Sequence, residues 1–506
     1  MSDELTTPLY RNEQVREFDR IAIEEQGIAG ILLMKRAGRA AFELLRECWP
    51  EEAPITVFCG TGNNAGDGYV VAALAAEQRI PVQVAQVGDL DKLQGDAKRA
   101  YQYALDAGVP IISDWQSLSI NDGIIVDALL GSGLNGVVRE PFSSAIAKIN
   151  QCQLPVLSVD IPSGLCGDTG AELGVAVQAD AVVSYIGLKQ GLYTGRGPAL
   201  AGEVFFDGLE VPADVYCSAK PSAQLLNLCD LLAHLEPRPQ DAHKGMFGHV
   251  MVIGGDHGMG GAVAMAAEAA LRSGAGLVSV ATRPEHVGGI LARRPELMVN
   301  GVVSGQELEP LLEKPSVLVV GPGLGNSPWS EQMLQQAIKS GLPMVLDADA
   351  LNILSQSRIT LGDKERPLII TPHPGEAARL LSVTTLDIQV DRFAAVHKLS
   401  DKFSAVAVLK GAGSLIAAPD SDVIGICGAG NPGMASGGMG DVLSGVLGAL
   451  LAQGLPAITA AQLGTCLHAE AADIAAELRG ERGMLATDLM EPLQHLVNSG
   501  DELYGD

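Results

Sequence analysis

The chain has 506 residues, more than one hydrophobic core accommodates, so two or three domains are expected. Lys and Arg number 34 against 60 Asp and Glu, a formal net charge of −26 with an acidic excess in both halves. This balance excludes a basic platform for nucleic acid or an anionic membrane surface. A phosphorylated ligand would have to be held by local backbone amides and a few lysines.

The cysteines and the N-terminus bear on the cellular compartment. The 8 cysteines form no C-x-x-C pair, which argues against a disulfide framework or a zinc site and favours reduced thiols. The first four residues are acidic overall and lack an apolar segment, so no secretory signal and a cytoplasmic location are expected. Val442–Leu467 has no charged residue, but Gly454 and Pro456 interrupt it, which favours two buried helices over a membrane span.

The first half alternates strand and helix patterns. Short apolar, β-branched runs predict strands, and the segments between them have helical character. The predicted strands are Ile55–Cys59, Val82–Val87, Ile124–Val126, Val156–Val159 and Ala181–Tyr185, and the predicted helices are Tyr69–Arg79, Asp96–Ala107 and Phe142–Asn150. This alternation predicts βαβ units and a mostly parallel sheet, with functional loops at the carboxyl ends of the strands.

Prolines interrupt this rhythm between residues 210 and 245, and a second alternating series follows. We predict a boundary near residues 218–235, which gives an N-terminal domain over 1–220 and a C-terminal domain over 225–500. The second series predicts a helix over Gly261–Gly274 and the strands His249–Ile253, Leu277–Ala281, Val317–Val320, Met344–Leu346, Leu368–Ile370 and Val406–Leu409. The predicted fold class is therefore α/β in both domains.

The most informative stretch is Gly428–Asp441, which has six glycines in fourteen residues and precedes the apolar helical stretch Val442–Leu447. A glycine-rich loop that enters a helix N-terminus directs several amide N–H groups and a positive dipole end at one point, which suits a phosphate. Asp441 stands at the helix start, where its carboxylate could take a proton from a hydroxyl nucleophile. The alternative is a tight turn with Asp441 as the N-cap.

Four further loops follow predicted strands in this half. They are 320–325 (VGPGLG), 347–352 (DADALN), 371–376 (TPHPGE) and 410–414 (KGAGS). With residues 431–435 (NPGMA) and 438–441 (GMGD), they resemble the ribokinase-like superfamily, and within it the ADP-dependent NAD(P)HX dehydratases, over roughly residues 225–497. The resemblance implies a ribokinase-like α/β/α fold and a substrate that is NADH or NADPH hydrated at C6 of the nicotinamide ring.

The dehydratase resemblance also implies site residues and cofactors. ADP, with Mg²⁺, would phosphorylate the C6 hydroxyl, and loss of phosphate would restore the reduced cofactor. Asp441 would be the catalytic base, and the amides around Gly437, Gly438, Met439 and Gly440 would hold the developing charge. Nucleotide contacts fall on Lys410, Gly411, Ala412, Gly413, Ser414 and Gly440, and substrate contacts fall on Ala262, Gly323, His373 and Asp441.

Several of these residues have structural alternatives. Ala262 could serve only helix packing, and His373 lies between two prolines and could belong to a rigid structural loop. Asp347 and Asp349 could bind Mg²⁺ or only cap the segment that follows them.

In the first half, residues 60–68 (GTGNNAGDG) follow a predicted strand and contain Gly-x-Gly-x-x-Ala, a dinucleotide fingerprint that is weak alone. Three other loops follow strands, namely 126–134 (VDALLGSGL), 160–164 (DIPSG) and 187–191 (GLKQG). Together they resemble the NAD(P)HX epimerases over roughly residues 10–215, which implies a Rossmann-like domain that interconverts the two C6 epimers of the hydrate.

The epimerase resemblance implies a second set of site residues. Substrate contacts fall on Asn63, Asn64, Ala65, Gly66, Asp67, Gly131, Ser132, Gly133, Leu134, Asn135, Gly136, Val137 and Asp160. A K⁺ ion would be held by Asn64, Asp127 and Ser163, whose hard oxygen atoms suit such a cation. We expect Asp160 to be the acid/base and Lys189 a weaker second candidate. The alternatives are an N-cap for Asp160, a structural hydrogen-bonding role for Asp127, and a solvated or phosphate-positioning role for Lys189.

Two other functions compete with this interpretation. The second half could be a small-molecule kinase acting on a hydroxymethylpyrimidine or a sugar, because the final Gly-x-Gly-Asp is common to that superfamily. The first half could be a non-catalytic nucleotide-binding module. Small-molecule partners and a homo-oligomer are expected, whereas nucleic acid and membrane partners are not.

Overall fold

The computed structural model describes residues 7–51, 53–362, 365–419 and 421–498, and the acidic N-terminal segment of residues 1–4 lies outside them. The chain divides into two compact units, an N-terminal unit over Pro8–Ala223 and a C-terminal unit that begins at Gln224. The functional domains 1–220 and 225–500 stay predictions. Within the described ranges, no helix is long and apolar enough to cross a membrane.

The N-terminal unit is a parallel sheet with helices between its strands. The short strand β1 (Thr7–Leu9) precedes this sheet along the chain and is not part of it. The strands of the sheet are β2 (Ile55–Cys59), β3 (Val82–Gln86), β4 (Ile111–Ile112), β5 (Ile124–Ala128), β6 (Val156–Val159), β7 (Ala181–Tyr185) and β8 (Glu203–Asp207). Its helices are α1 (Asn12–Glu24), α2 (Gly30–Cys48), α3 (Asn63–Glu77), α4 (Gly95–Asp106), α5 (Phe142–Cys152) and α6 (Gly197–Ala201).

The C-terminal unit is a larger mixed sheet with more helices. Its strands are β9 (Ala223–Leu225), β10 (His249–Ile253), β11 (Leu277–Thr282), β12 (Met298–Gly301), β13 (Val317–Val320), β14 (Met344–Leu346), β15 (Leu368–Ile370), β16 (Val406–Leu409), β17 (Ser414–Ala417) and β18 (Ile424–Cys427). Its helices are α7 (Leu228–Leu232), α8 (Gly260–Arg272), α9 (Val287–Arg293), α10 (Gly305–Leu308), α11 (Pro328–Ser340), α12 (Ala348–Ser355), α13 (Pro374–Leu381), α14 (Thr385–Val390), α15 (Arg392–Phe403), α16 (Met439–Ala452), α17 (Ala457–Arg479) and α18 (Met490–Leu496).

The predicted strands and helices are all present, and the α/β class is confirmed. The uncharged stretch that includes Gly454 and Pro456 forms α16 and part of α17, two helices with buried faces, as expected. One helix boundary was wrong: α3 begins at Asn63, so that Asn63–Gly68 is helical and not part of the loop. Glycine is needed at position 68 within the helix, because a Cβ there would lie 2.6 Å from the Cβ of Ala128. Without a side chain at this position, the helix packs closely on the sheet.

The two sheets share one strand order. The N-terminal sheet runs β4-β3-β2-β5-β6-β7-β8, and every neighbouring pair is parallel. The C-terminal sheet contains β12-β11-β10-β13-β14-β15-β16, again parallel, followed by the antiparallel pair β17 and β18. In each unit the first strand of the alternation lies beside the fourth. Ligands of doubly wound sheets bind at this switch point, outside the carboxyl ends of the strands.

A glycine after the first strand allows close packing at each switch point. A Cβ on Gly60, which follows β2, would lie 2.0 Å from the carbonyl oxygen of Leu129. A Cβ on Gly254, which follows β10, would lie 2.0 Å from the carbonyl oxygen of Pro322. Only glycine fits at either position without backbone movement, so the two strand ends are fixed against each other.

We expect Gly60→Ala to lower the free energy of unfolding of the N-terminal unit by about 1–3 kcal/mol, because the new methyl group forces the backbone of Leu129 to move. Gly62→Ala in the same loop is the matched control. A Cβ on Gly62 meets nothing within 4 Å, so a loss of under about 1 kcal/mol is expected. Chemical denaturation of both variants measures the difference, and equal losses would contradict the account.

Candidate active sites

In the C-terminal unit, the predicted catalytic carboxylate lies in the first turn of α16. Gly438 is the N-cap, with a φ of 96°, so the interpretation of Asp441 as the N-cap is wrong. The amides of Gly437, Gly438, Met439 and Gly440 have no hydrogen-bond acceptor in the part of the chain that the structure describes. An unpaired row of N–H groups at a helix N-terminus is an anion site.

The electrostatic surroundings of Asp441 favour proton uptake near neutral pH. The side chain is half-buried. Burial is the main cause that raises its pKa to about 7, the charges of Asp347 and Asp349 add to this, and Lys410 opposes it. A general base is most effective when its pKa lies near the working pH.

A buried cluster lies next to this carboxylate. Lys410 Nζ is 2.8 Å from Asp347 Oδ1 and 3.9 Å from Glu376 Oε2, and the Ser444 hydroxyl donates to Asp347 Oδ2 at 2.7 Å. Burial alone would raise the pKa of Asp347, but Lys410 and Ser444, aided by a bond from Thr371, hold it below its usual value. Asp347 is therefore an anion, held between a cation and a hydroxyl.

Asp347 and Asp349, which the sequence offered as Mg²⁺ ligands or caps, have different partners in the structure. Asp347 precedes α12 but makes no side-chain cap bond, so the capping interpretation is wrong for it. Asp349 accepts from the Gly325 amide at 2.8 Å and from Asn352 Nδ2 at 3.3 Å, which ties α12 to the loop after β13. In the described ranges no group of three or more His, Cys, Asp or Glu side chains could hold a metal ion.

The predicted nucleotide loop, 410–414, is hydrogen-bonded to Arg392, a residue that was not identified from the sequence. Arg392, at the start of α15, is 1% exposed, and its guanidinium donates to the carbonyls of Leu409, Lys410 and Gly413 at 3.2–3.4 Å. Burial lowers its pKa to about 10, so it stays charged at neutral pH. No motif marks this arginine, because it lies eighteen residues before the loop and on another element.

The predicted substrate residues of this unit lie at the same sheet edge. A Cβ on Gly323 would be 3.0 Å from the Cβ of Ala262, so the loop after β13 and the start of α8 are in contact. His373 is the N-cap of α13: its Nδ1 accepts from the Gly375 amide at 3.0 Å, and its side chain is half-exposed. Burial is the main cause that lowers its pKa, which favours the neutral ring. His373 thus has the predicted rigid structural role and remains open to a ligand.

In the N-terminal unit, the residues 63–67 form the first turns of α3 at the switch point. Both polar atoms of the Asn64 side chain are buried and have no hydrogen-bond partner among the residues that the structure describes. The Cβ of Asn64 would lie 3.2 Å from a Cβ on Gly131, so the first two predicted substrate segments meet here. A buried amide without a partner costs free energy, which a bound ligand or ion would recover.

The rest of the predicted substrate loop, Ser132, Gly133, Leu134, Asn135, Gly136 and Val137, follows Gly131 on the surface. Arg16 of α1 donates to the Ser132 carbonyl at 2.7 Å and so ties the loop to the first helix. The side chain of Val137 is 66% exposed, which leaves its apolar surface available for a ligand.

Two of the three predicted potassium ligands, Asp127 and Ser163, are hydrogen-bonded to each other. The buried Asp127 carboxylate accepts from Ser163 Oγ at 2.6 Å, from the Ser163 amide at 2.8 Å and from Ser158 Oγ at 2.8 Å. Burial is the main cause that raises the pKa of Asp127, although these bonds oppose the rise. Asn64 Oδ1 is the oxygen of the predicted set that has no partner, so the residues fit a cation in part.

Asp160 and Lys189, which the sequence analysis named as acid/base candidates, form a buried ion pair. Lys189 is 1% exposed and also donates to Ser184 Oγ and the Tyr185 carbonyl, each at 3.1 Å, so the solvated alternative is wrong. Asp160 has a φ of 68°, a left-handed conformation that is uncommon for residues other than glycine, although aspartate adopts it more readily than most. Such strain is concentrated at functional positions.

Two further carboxylates interact electrostatically with this pair. Burial is the main cause that raises the pKa of Asp19 in α1 to about 6, and the charges of Lys189 and Asp160 act on it. The partly buried Asp67 has a pKa raised well above its usual value, chiefly by loss of hydration and then by Asp160 and Asp19. Asp19 could not be identified from the sequence, because nothing in its local sequence distinguishes it from other helix-surface carboxylates.

Fold and sites together define an α/β enzyme with one candidate site at the switch point of each unit. A family model described as NAD(P)H-hydrate dehydratase matches residues 250–495, and one described as YjeF-related protein N-terminus matches residues 30–191. The chain is 49% identical, over 97% of its length and 100% of the relative's, to a bifunctional NAD(P)H-hydrate repair enzyme of Coxiella burnetii. It is 44% identical to that of Escherichia coli, over 96% of this chain and 93% of the relative. The chain therefore belongs to the family of bifunctional NAD(P)H-hydrate repair enzymes.

A solved structure agrees with the fold of the C-terminal unit. A ribokinase-like superfamily protein of Enterococcus faecalis matches with a TM-score of 0.50 and 30% identity, over 55% of this chain and 95% of that one. The family resemblances seen in the sequence are confirmed, while the roles of individual site residues stay predictions.

We expect Lys189→Met to lower the free energy of unfolding of the N-terminal unit by about 3 kcal/mol or more, because it leaves the Asp160 carboxylate without its buried partner. Lys92→Met, at an exposed position, is the control and should change stability by less than about 0.5 kcal/mol. Denaturation curves of the two variants make the comparison. A Lys189 variant as stable as the control would show that the pair is not formed in solution.

Proposed function

We propose that this chain repairs hydrated NADH and NADPH in two steps, with epimerisation of the R and S hydrates in the N-terminal unit and ADP-dependent dehydration of the S hydrate in the C-terminal unit. The observation that carries the proposal is Asp441 beside the unpaired amides of Gly437–Gly440, with Lys410 held nearby. The names of the relatives support the same substrate class.

In the dehydration step, Asp441 accepts the proton of the C6 hydroxyl while that oxygen attacks the β-phosphorus of ADP. The bond from the β-phosphorus to the bridging oxygen breaks, and AMP leaves with the electron pair. The amides at the start of α16 and the Lys410 ammonium stabilise the charge on the transferring group, an effect worth about 3–4 kcal/mol for a well-placed donor.

Elimination then completes the repair. The C6–oxygen bond breaks and phosphate takes the electron pair, helped by the lone pair of the ring nitrogen. Loss of a proton from C5 restores the ring double bond, so the products are NAD(P)H, AMP and phosphate. Phosphorylation is needed because hydroxide is a poor leaving group and phosphate a good one.

Mg²⁺ would neutralise the nucleotide phosphates during transfer, since it is usually bound through one or two carboxylates together with substrate phosphates. The carboxylate oxygens of Asp347 and Asp349 already accept hydrogen bonds, so the nucleotide itself would supply most of the ligands. Within the N-terminal unit, K⁺ would use the free Asn64 oxygen together with Asp127 and Ser163. A cytoplasmic location and a homo-oligomer complete the proposal.

Epimerisation at C6 requires a group that moves protons beside the ring. Asp160 is proposed for this role, and Lys189 positions it through their ion pair. The loop 131–137 and the first turns of α3 would hold the substrate against the unpaired Asn64 amide. Release and return of the C6 hydroxyl on the opposite face would invert the centre without net change in composition.

We expect Asp441→Asn to lower kcat of dehydration by a factor of about 10²–10⁴, because the amide cannot accept the hydroxyl proton. The assay incubates the full chain with the S hydrate and ADP and follows the absorbance of the restored dihydronicotinamide. Asp401→Asn, at an exposed position on α15, is the matched control and should retain full activity. A stable phosphoester product in place of phosphate would instead establish the kinase alternative.

Asp160→Asn is expected to abolish exchange between the R and S hydrates while dehydration of the pure S hydrate continues at the wild-type rate. The reason is that the amide cannot transfer a proton, whereas the C-terminal site is untouched. Chiral separation of the hydrates before and after incubation without ADP measures exchange. Unchanged exchange in this variant would favour the alternative that the N-terminal unit is a non-catalytic nucleotide-binding module or uses another acid/base.

A further inference from the structure

The buried carboxylate of Asp347 has no step of its own in the mechanism above, yet it holds the centre of the C-terminal site. One of its oxygens contacts Lys410 Nζ at 2.8 Å and the other accepts from the Ser444 hydroxyl at 2.7 Å. Asp347 is 1% exposed. An anion removed from water to this degree must be compensated by such partners, so the arrangement is fixed.

Helix geometry places this cluster directly beside the catalytic base. Asp441 and Ser444 are three residues apart in α16 and therefore lie on the same helix face. A Cβ on Gly440, the residue before Asp441, would lie 3.2 Å from Lys410 Nζ and 3.4 Å from Asp347 Oδ2. Lys410 Nζ thus lies beside the helix turn that carries Asp441, and its charge acts on both Asp347 and Asp441.

We propose that Asp347 is a positioning residue of the phosphoryl-transfer step, which retains the Lys410 ammonium so that this cation does not form an ion pair with Asp441. The inference rests on the proposed function, because it assumes that Asp441 accepts the C6 hydroxyl proton. An aspartate paired with lysine is a weak base, whereas one next to a second carboxylate keeps its affinity for the proton. Ser444 fixes Asp347 in the geometry that makes this possible.

The other charged groups near Asp441 are compatible with this role. Asp349 adds negative charge, and Glu376 Oε2 lies 3.9 Å from Lys410 Nζ. His468 of α17 is buried, its pKa is lowered to about 4, chiefly by burial, and its ring is neutral near pH 7. Lys410 is accordingly the one cation among the groups that act on Asp441 in the described part of the chain.

The test is the pH dependence of kcat for the full chain with saturating ADP and S hydrate. In wild type, kcat should fall below about pH 7, where Asp441 becomes protonated. Asp347→Asn removes a negative charge that acts on Asp441 and frees Lys410 to pair with Asp441, so the midpoint should move down by about one pH unit or more, and kcat on its plateau should fall. Lys410→Met removes the cation, so the midpoint should move up.

General damage to the fold would lower kcat in both variants. It would not move the pH midpoint of kcat down in Asp347→Asn and up in Lys410→Met. If Asp347→Asn does not fold, the upward shift in Lys410→Met still tests the claim. Midpoints that stay at the wild-type value in the folded variants overturn the inference. The variant Asp441→Asn separates the failure of the proposed function from the failure of this inference. If Asp441→Asn retains wild-type kcat, Asp441 is not the base. If Asp441→Asn is inactive but the midpoints of Asp347→Asn and Lys410→Met equal that of wild type, only the role of Asp347 fails.

Discussion

Each unit of this protein depends on one buried ion pair between a lysine and an aspartate at the carboxyl edge of a parallel sheet. Lys410 and Asp347 form this pair in the C-terminal unit, and Lys189 and Asp160 form it in the N-terminal unit. Buried pairs add little net stability compared with apolar residues of the same size. Their presence at both sites is better explained by function, since each fixes charges where a proton or a phosphoryl group must move.

The same strand order produces both sites. In each sheet the first and fourth strands of the alternation lie side by side, and a glycine after the first strand lets its end pack against a carbonyl after the fourth. This contact fixes the base of the cleft at the switch point, where loops from several strands meet. The same strand order therefore carries two different candidate sites, which differ in the segments after the strands. In the described residues, the N-terminal site has a helix turn with the unpaired Asn64 side chain, and the C-terminal site has the unpaired amides of residues 437–440 beside Asp441.

Much of this organisation could be predicted from the sequence. The buried parallel strands are short apolar runs with clear ends, and the loops that follow them carry the motifs, so the α/β class and the two site edges were predictable. The start of α3 was not, because Gly66 and Gly68 suggest a loop, while the structure uses them to pack the helix tightly on its neighbours. The hairpin of β17 and β18 also went unpredicted, because β17 begins at Ser414, inside the predicted nucleotide loop, and β18 ends directly before the glycine-rich stretch.

The residues that were not identified from the sequence lie far along the chain from the segments that they contact or influence. Arg392 supports the nucleotide loop through three carbonyl oxygens, and backbone carbonyls leave no trace in a motif. Asp19 acquires its unusual environment only when α1 packs near the buried pair of the N-terminal unit. Asp347 was noticed, but its partners Lys410 and Ser444 are 63 and 97 residues away, so only the fold shows that it binds a lysine and a hydroxyl.

The central claim is that the oxygen at C6 of the hydrated cofactor is phosphorylated before it leaves. The most direct test prepares the S hydrate with oxygen-18 at that hydroxyl, incubates it with the full chain and ADP, and analyses the inorganic phosphate by mass spectrometry. The account predicts one labelled oxygen atom in each phosphate released. Unlabelled phosphate, with the label recovered in water, would show that ADP is hydrolysed separately and would contradict transfer of its phosphoryl group to the substrate.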